Sequence, residues 1–133
     1  MYWALLARAY AMSDQFDNAW RCIHEAMTAA DTTKERWGEA EVYRAAGEVE
    51  LMSPQADAAK ADAYFEQALA VARQQQAKSW ELRASMSLAR LWRDQGKVQQ
   101  ARELLAPVYG WFTEGFDTRD LKEANALLEE LGQ

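Results

Sequence analysis

The chain has 133 residues, of which 50% are hydrophobic and 27% are charged, with six glycines and two prolines. This composition excludes a disordered or loop-rich chain and predicts one domain with a buried core. A net charge of −6 argues against general affinity for nucleic acid or for an anionic membrane. No basic leader, no run of about 18 apolar residues and a single cysteine together predict a cytoplasmic protein.

Apolar residues recur at helical spacing along nearly the whole chain and predict seven helices. Ser53-Pro54 interrupts the pattern, Gly96 ends a turn, and Asp117 or Thr118 can cap the last helix. The predicted ranges are about 2–12, 14–30, 33–52, from about 57 to at least 72, 78–94, 98–108 and 118–131.

Small residues recur at a fixed interval of 40 to 42 positions within these helices. They are Ala7, Gly47 and Ala89 in the first helix of each successive pair, and Ala19, Ala61 and Ala101 in the second. Large residues flank them at regular offsets: Trp3, Leu6, Tyr10, Ile23, Tyr43, Leu51 (one position late), Phe65, Leu88, Trp92, Leu105 and Val108. This order is the consensus of the tetratricopeptide (TPR) repeat, whose usual period is about 34 residues, so these hairpins are longer.

The pattern predicts an all-α fold, a TPR-like right-handed α-solenoid in a single domain. One helical hairpin cannot bury its apolar face alone and therefore stacks on a neighbour. We expect three hairpins, at about 2–30, 33–76 and 78–109, and a capping helix at about 118–131. The first repeat starts almost at Met1, which predicts a fragment of a larger protein and self-association through an uncovered N-terminal hairpin.

The segment from Ala77 to Leu131 resembles the C-terminal end of large bacterial signalling proteins, most distinctively across Pro107–Thr118. In those proteins a class III adenylate/guanylate cyclase or a DNA-binding domain precedes a STAND-type ATPase and a TPR array. The resemblance implies a sensor or scaffold segment. No phosphate-binding Gly-Lys-Ser/Thr loop and no cyclase metal-binding aspartate pair occur here, so neither activity is expected of this chain.

Catalytic, cofactor and metal sites are not predicted. His24 and Cys22 are two residues apart on a helix and would point in nearly opposite directions, and no cluster of metal ligands accompanies them. The abundant carboxylates stand at helical spacing near basic residues, as in Arg44 with Glu48, Arg90 with Asp94, and Arg119 with Glu123, which is the spacing of ion pairs within one helix.

The remaining candidate is the concave groove that the first helices of a TPR array line. The positions that face it by the repeat alignment, or lie beside it, are Ala4, Arg8, Glu41, Arg44, Glu48, Arg83, Met86, Arg90 and Arg93. Arginine forks suit carboxylates, so this row predicts an extended, acidic protein segment as ligand. A solvated charged face explains the same residues equally well.

The aromatic residues offer a second surface. Trp111, Phe112 and Phe116 could form an exposed site, although wedging the final helix onto the preceding one is favoured. Four other tryptophans are expected in the core: Trp3, Trp20, Trp80 and Trp92.

Three functions therefore stay open. The first is a protein–protein interaction or scaffold module that binds a peptide or protein segment. The second is an intramolecular regulatory segment that packs on the ATPase or cyclase domain of its parent chain. The third, less favoured, is an oligomerisation element.

Overall fold

A computed structural model describes residues 2–33, 39–112 and 118–132, with side chains from residue 6 to 28 and throughout the two later ranges. All regular structure in these ranges is α-helical, which confirms an all-α fold. The helices are α1 (Tyr2–Met12), α2 (Phe16–Thr33), α3 (Glu39–Met52), α4 (Ala58–Gln74), α5 (Lys78–Asp94), α6 (Val98–Gly110) and α7 (Arg119–Leu131).

The bounds of α1 and α5 are those that the sequence predicts. Thr33, expected to begin the third helix, instead ends α2. Helix α6 was expected to end at about Val108 but continues for two more residues to Gly110, where a glycine at the helix end costs little. Thr118 occupies the N-cap position of α7 without a capping hydrogen bond from its side chain, and Asp117 lies outside the described residues.

Three short connections between helices share one backbone geometry. Each contains a residue in the left-handed region, namely Asp14 (φ 61°), Gln76 (φ 55°) and Gly96 (φ 82°). In each, the next residue donates its N–H to a carbonyl five positions earlier: Gln15 to Tyr10 (2.8 Å), Ala77 to Ala72 (2.9 Å) and Lys97 to Trp92 (2.8 Å). These bonds satisfy carbonyl groups that a helix end would otherwise leave unpaired.

The longer connection after α3 contains Ser53-Pro54 and ends at a side-chain cap. The carboxylate of Asp57 accepts hydrogen bonds from the N–H groups of Ala59 (2.9 Å) and Lys60 (3.3 Å). This satisfies two of the donors that the first turn of α4 leaves free.

Helices adjacent in sequence pack together, in the pairs α1–α2, α3–α4 and α5–α6. Helix α1 also contacts α3, α3 contacts α5, and α5 contacts α7, so these four helices form a row. Helices α2, α4 and α6 contact only helices next to them in sequence, within the described residues. The row of α1, α3, α5 and α7 therefore forms one surface of the molecule.

The small residues of the repeat lie at the contacts between paired helices. Ala7, Ala19, Ala61, Ala89 and Ala101 are completely buried. Gly47 of α3 is also buried, and a methyl group added there would lie 2.5 Å from the ring of Phe65 on α4. The small residues therefore permit close approach between helices, as the sequence predicts.

Among the large consensus residues with described side chains, five are buried, four are partly buried and one is exposed. Ile23, Phe65, Leu88, Leu105 and Val108 belong to the core. Leu51, which the alignment accepts only with a shift of one position, is exposed and is not a core residue. The shift of one position rotates a side chain by about 100° around a helix, which is enough to move it from the core to solvent.

Trp20, Trp80 and Trp92, which were expected in the core, are partly buried and pack against it, whereas the side chain of Trp3 lies outside the described residues. The indole Nε1–H of Trp92 donates to the carboxylate of Asp62 at 2.8 Å and so joins α5 to α4. None of the described helices is both long enough and apolar enough to cross a membrane.

Candidate binding groove

The row of helices forms a groove of about 650 Å³. Each of α1, α3 and α5 contributes residues, and the first turns of α7 close one end. The lining consists of Arg8, Glu41, Arg44, Ala45, Glu48, Arg83, Met86, Arg90, Thr118, Arg119, Asp120 and Glu123.

Seven of the nine groove residues predicted from the sequence line this space: Arg8, Glu41, Arg44, Glu48, Arg83, Met86 and Arg90. Arg93 does not line it. Its guanidinium group turns to Asp94 (3.1 Å) and to Glu130 of α7 (3.0 Å). The side chain of Ala4 lies outside the described residues.

Sequence reasoning missed the contribution of α7. Glu123 faces the groove, together with Arg119 and Asp120. The available signal was the i,i+4 pair of Arg119 and Glu123, which an amphipathic capping helix would present beside α5.

The groove arginines are paired with carboxylates rather than free. One continuous chain of ion pairs crosses all four helices. It runs from Arg8 to Glu48 (2.7 Å), Arg44 (2.9 Å), Glu41 (2.9 Å), Arg83 (3.8 Å) and Asp120 (2.8 Å). Positive and negative side chains alternate along this series of ion pairs, which contains three of each and therefore has no net charge.

Arg44 is the centre of that chain and is largely buried, with 17% of its side chain exposed. It donates two hydrogen bonds to Glu41 (3.0 and 2.9 Å) and one to Glu48 (2.9 Å). Burial acts to lower the pKa of Arg44, but the bond to Glu41 and the charges of Glu41, Glu48 and Asp120 outweigh it and raise that pKa. Its guanidinium group therefore stays charged.

These contacts give Arg44 a structural role, so replacing it is expected to disturb the fold. Only 7% of the Glu41 side chain is exposed, so removing Arg44 would leave a buried carboxylate without its closest partner. Arg44 is a structural residue of the groove as well as a lining residue.

A second, shorter group of charges stands apart from the chain. Glu123 pairs with Arg119 at 2.9 Å and lies 3.6 Å from Arg90. The sequence predicted that Arg90 would pair with Asp94 on its own helix. Instead Arg90 faces α7, and Asp94 pairs with Arg93.

Ala45 and Met86 provide the apolar part of the lining, and both are buried. The groove thus has an apolar base and charged sides. Such a surface can hold an extended chain by side-chain burial and by charge-assisted hydrogen bonds.

The described residues contain no group of three or more His, Cys, Asp or Glu side chains that could hold a metal ion. His24 is exposed, whereas Cys22 is buried in the core shared by α1, α2 and α3. Burial raises the pKa of the Cys22 thiol, which keeps it in its unreactive protonated form. These two side chains therefore lie in different environments, one in solvent and one in the core.

The aromatic surface predicted around Trp111 agrees in part with each of its two interpretations, an exposed site and a wedge between the last two helices. Trp111 is 45% exposed, with the Nζ atom of Lys78 5.8 Å from its ring centre. The two residues border a shallow depression of about 400 Å³ that Arg73, Gln76 and Glu81 complete. Phe112, in contrast, packs against the core around α6 and α7. Phe116 lies outside the described residues.

The chain matches no model of a known protein family, and a search of curated proteins finds no match either.

Proposed function

We propose that this chain is a protein-interaction module that binds an extended segment of another protein in the groove formed by α1, α3, α5 and α7. The observation that carries the proposal is the groove itself, where apolar residues and five arginines from four alternate helices line one continuous space. A surface assembled from equivalent positions of stacked helices suits a ligand that runs along the stack.

We also propose that the helices form a TPR-like right-handed α-solenoid. Two observations support it: odd-numbered helices contact one another in order, and the small residues of the repeat are buried at contacts between helices. The resemblance of residues 77–131 to the end of bacterial cyclase and STAND-type ATPase proteins supports a parent of that signalling class.

The charges of the groove limit what it can bind tightly. Five arginines against four carboxylates leave an excess of one positive charge, in a chain whose net charge is −6. A ligand with modest negative charge is therefore attracted to the groove, and added salt weakens the attraction. A strongly acidic segment would meet Glu41, Glu48, Asp120 and Glu123.

A display library of random peptides, selected on the folded chain, tests this function. Binding is located by ¹³C-methyl labelling of methionine, because Met86 lies in the groove lining while Met12 and Met52 are exposed at the ends of α1 and α3. Selected peptides are expected to shift the Met86 signal and leave Met12 unchanged. Peptides that bind yet leave Met86 unchanged would place the binding surface elsewhere.

A matched pair of variants completes the test. Arg90→Gln alters the groove, whereas Arg93→Gln removes an arginine from the same helix outside it. Loss of binding in the first and not in the second supports the groove. Selected sequences that match a segment of the parent protein would instead indicate the intramolecular role.

A further inference from the structure

The positive charge of the groove is unevenly distributed. The chain of ion pairs from Arg8 to Asp120 contains three arginines and three carboxylates and is balanced. The remaining lining charges are Arg90, Arg119 and Glu123. The whole excess of one positive charge therefore lies at the α5–α7 end of the groove.

The geometry at this end leaves donors unused. Glu123 accepts a hydrogen bond from Nε of Arg119 at 2.9 Å. Its other oxygen is 3.6 Å from Arg90, beyond the 2.7–3.2 Å of an ordinary hydrogen bond. Arg90 has no other ion-pair partner among the described residues, although a guanidinium group carries five N–H donors.

Arg90 and Arg119 are also accessible. The side chain of Arg119 is 89% exposed and that of Arg90 is 40% exposed. Arg44 differs in both respects, since it is largely buried and its hydrogen bonds go to two carboxylates. The two arginines at this end can thus rotate toward a ligand at small cost.

We infer that Arg90 and Arg119 form a subsite for one carboxylate group of the bound segment, and that Glu123 is its competitor in the free chain. The inference rests on the proposed function and identifies the part of the groove that binds the acidic group of the ligand. Two guanidinium groups that lie beside one carboxylate can bind a second carboxylate, because each donates from planar N–H pairs that match the spacing of carboxylate oxygens.

The same charges disfavour more highly charged ligands. Asp120 lies next to Arg119, and the rest of the groove is balanced. A phosphorylated or polyacidic segment would place additional negative charges against Asp120, Glu41 and Glu48. The preferred segment therefore carries one acidic group at the α7 end and uncharged residues across Met86 and Ala45.

The test uses short peptides of identical apolar sequence with blocked N-termini. One carries a single glutamate and an amidated C-terminus, a second has a free C-terminal carboxylate without acidic side chains, and a third is neutral. Binding is followed by the Nε–Hε signals of Arg90 and Arg119 and by the methyl signal of Met86. Comparing the first two peptides identifies whether a side-chain or a terminal carboxylate fits.

Glu123→Gln is the decisive variant, because it removes the competing charge while retaining an oxygen that can accept the bond from Arg119. Glu130→Gln is the matched control, since Glu130 is an α7 carboxylate that pairs with an α5 arginine outside the groove. Both variants change the net charge equally. Binding of an acidic peptide is expected to tighten several-fold in the first variant and to stay unchanged in the second.

Arg90→Gln is expected to weaken binding of the acidic peptide by about tenfold and to leave the neutral peptide unaffected. Equal binding of acidic and neutral peptides, or no gain from Glu123→Gln beyond that of Glu130→Gln, would overturn the inference. In that case a shift of Met86 would still support groove binding. If no peptide shifts Met86 or either arginine, the groove fails as a binding surface as well.

Discussion

Replacing Gly47 by alanine sets two effects against each other. In a helix interior alanine is favoured over glycine by about 1 kcal/mol. At this position, however, the new methyl carbon would lie 2.5, 2.7 and 2.9 Å from three carbons of the Phe65 ring. Carbon atoms in contact normally lie about 3.5–4.0 Å apart, so the ring or the helix must move.

Phe65 has little room to move, because it is 1% exposed and packs within the core between α4 and α5. Overpacking of a core typically costs about 1–3 kcal/mol, and three close carbons place this site in the upper part of that range. After subtracting the propensity gain, Gly47→Ala should lower the free energy of unfolding by about 1–2 kcal/mol. Urea denaturation followed by circular dichroism measures it.

Two control variants test whether the contact between Gly47 and Phe65 causes the loss of stability. A methyl group at Gly110, the last residue of α6, would meet nothing within 4 Å, so Gly110→Ala should be neutral or slightly stabilising. In a Phe65→Leu background the penalty of Gly47→Ala should shrink, because the ring it strikes is gone. If Gly47→Ala raises stability as Gly110→Ala does, the close contact between α3 and α4 is not as described.

The remaining predictions concern the core, the ion pairs and the chain as a whole. Ala61→Leu, at a completely buried position, should lower the free energy of unfolding by about 1–3 kcal/mol, and an unchanged denaturant midpoint would contradict this. Arg44→Ala should cost about 1–3 kcal/mol, less than for a fully buried pair because Arg44 is partly exposed, and Arg44→Ala combined with Glu41→Gln should recover part of the loss. Calorimetry with ATP and magnesium should detect no binding, whereas saturable binding at low micromolar levels would refute the prediction.

Much of the helical structure could be predicted from the sequence because local signals fix it. The spacing of apolar residues placed α1 and α5 at their observed bounds, and Asp57 marked the start of α4. The buried small residues were also predictable, since close approach of two helices admits few residue types. Leu51 was less predictable, because the alignment counted it among the consensus positions only with a shift of one position, and it is exposed.

The groove could be predicted only in part, because its ion pairs join residues far apart in the chain. Spacing along one helix correctly paired Arg44 with Glu48 but wrongly paired Arg90 with Asp94. The choice of Glu123 by Arg90 depends on where α7 packs, which no local pattern encodes. The sequence predicted a row of arginines along the groove. In the structure, ion pairs between different helices neutralise most of their charge.

The burial of Cys22 gives the protein an internal chemical reporter. It is the only cysteine in the sequence, and it lies in the core that α1, α2 and α3 share. Because a thiol reagent can reach it only when this part of the molecule opens, the rate of modification at low denaturant measures local opening of the N-terminal hairpin. Comparing that rate with global unfolding would show whether the hairpins separate one at a time or unfold together, without any substitution in the sequence.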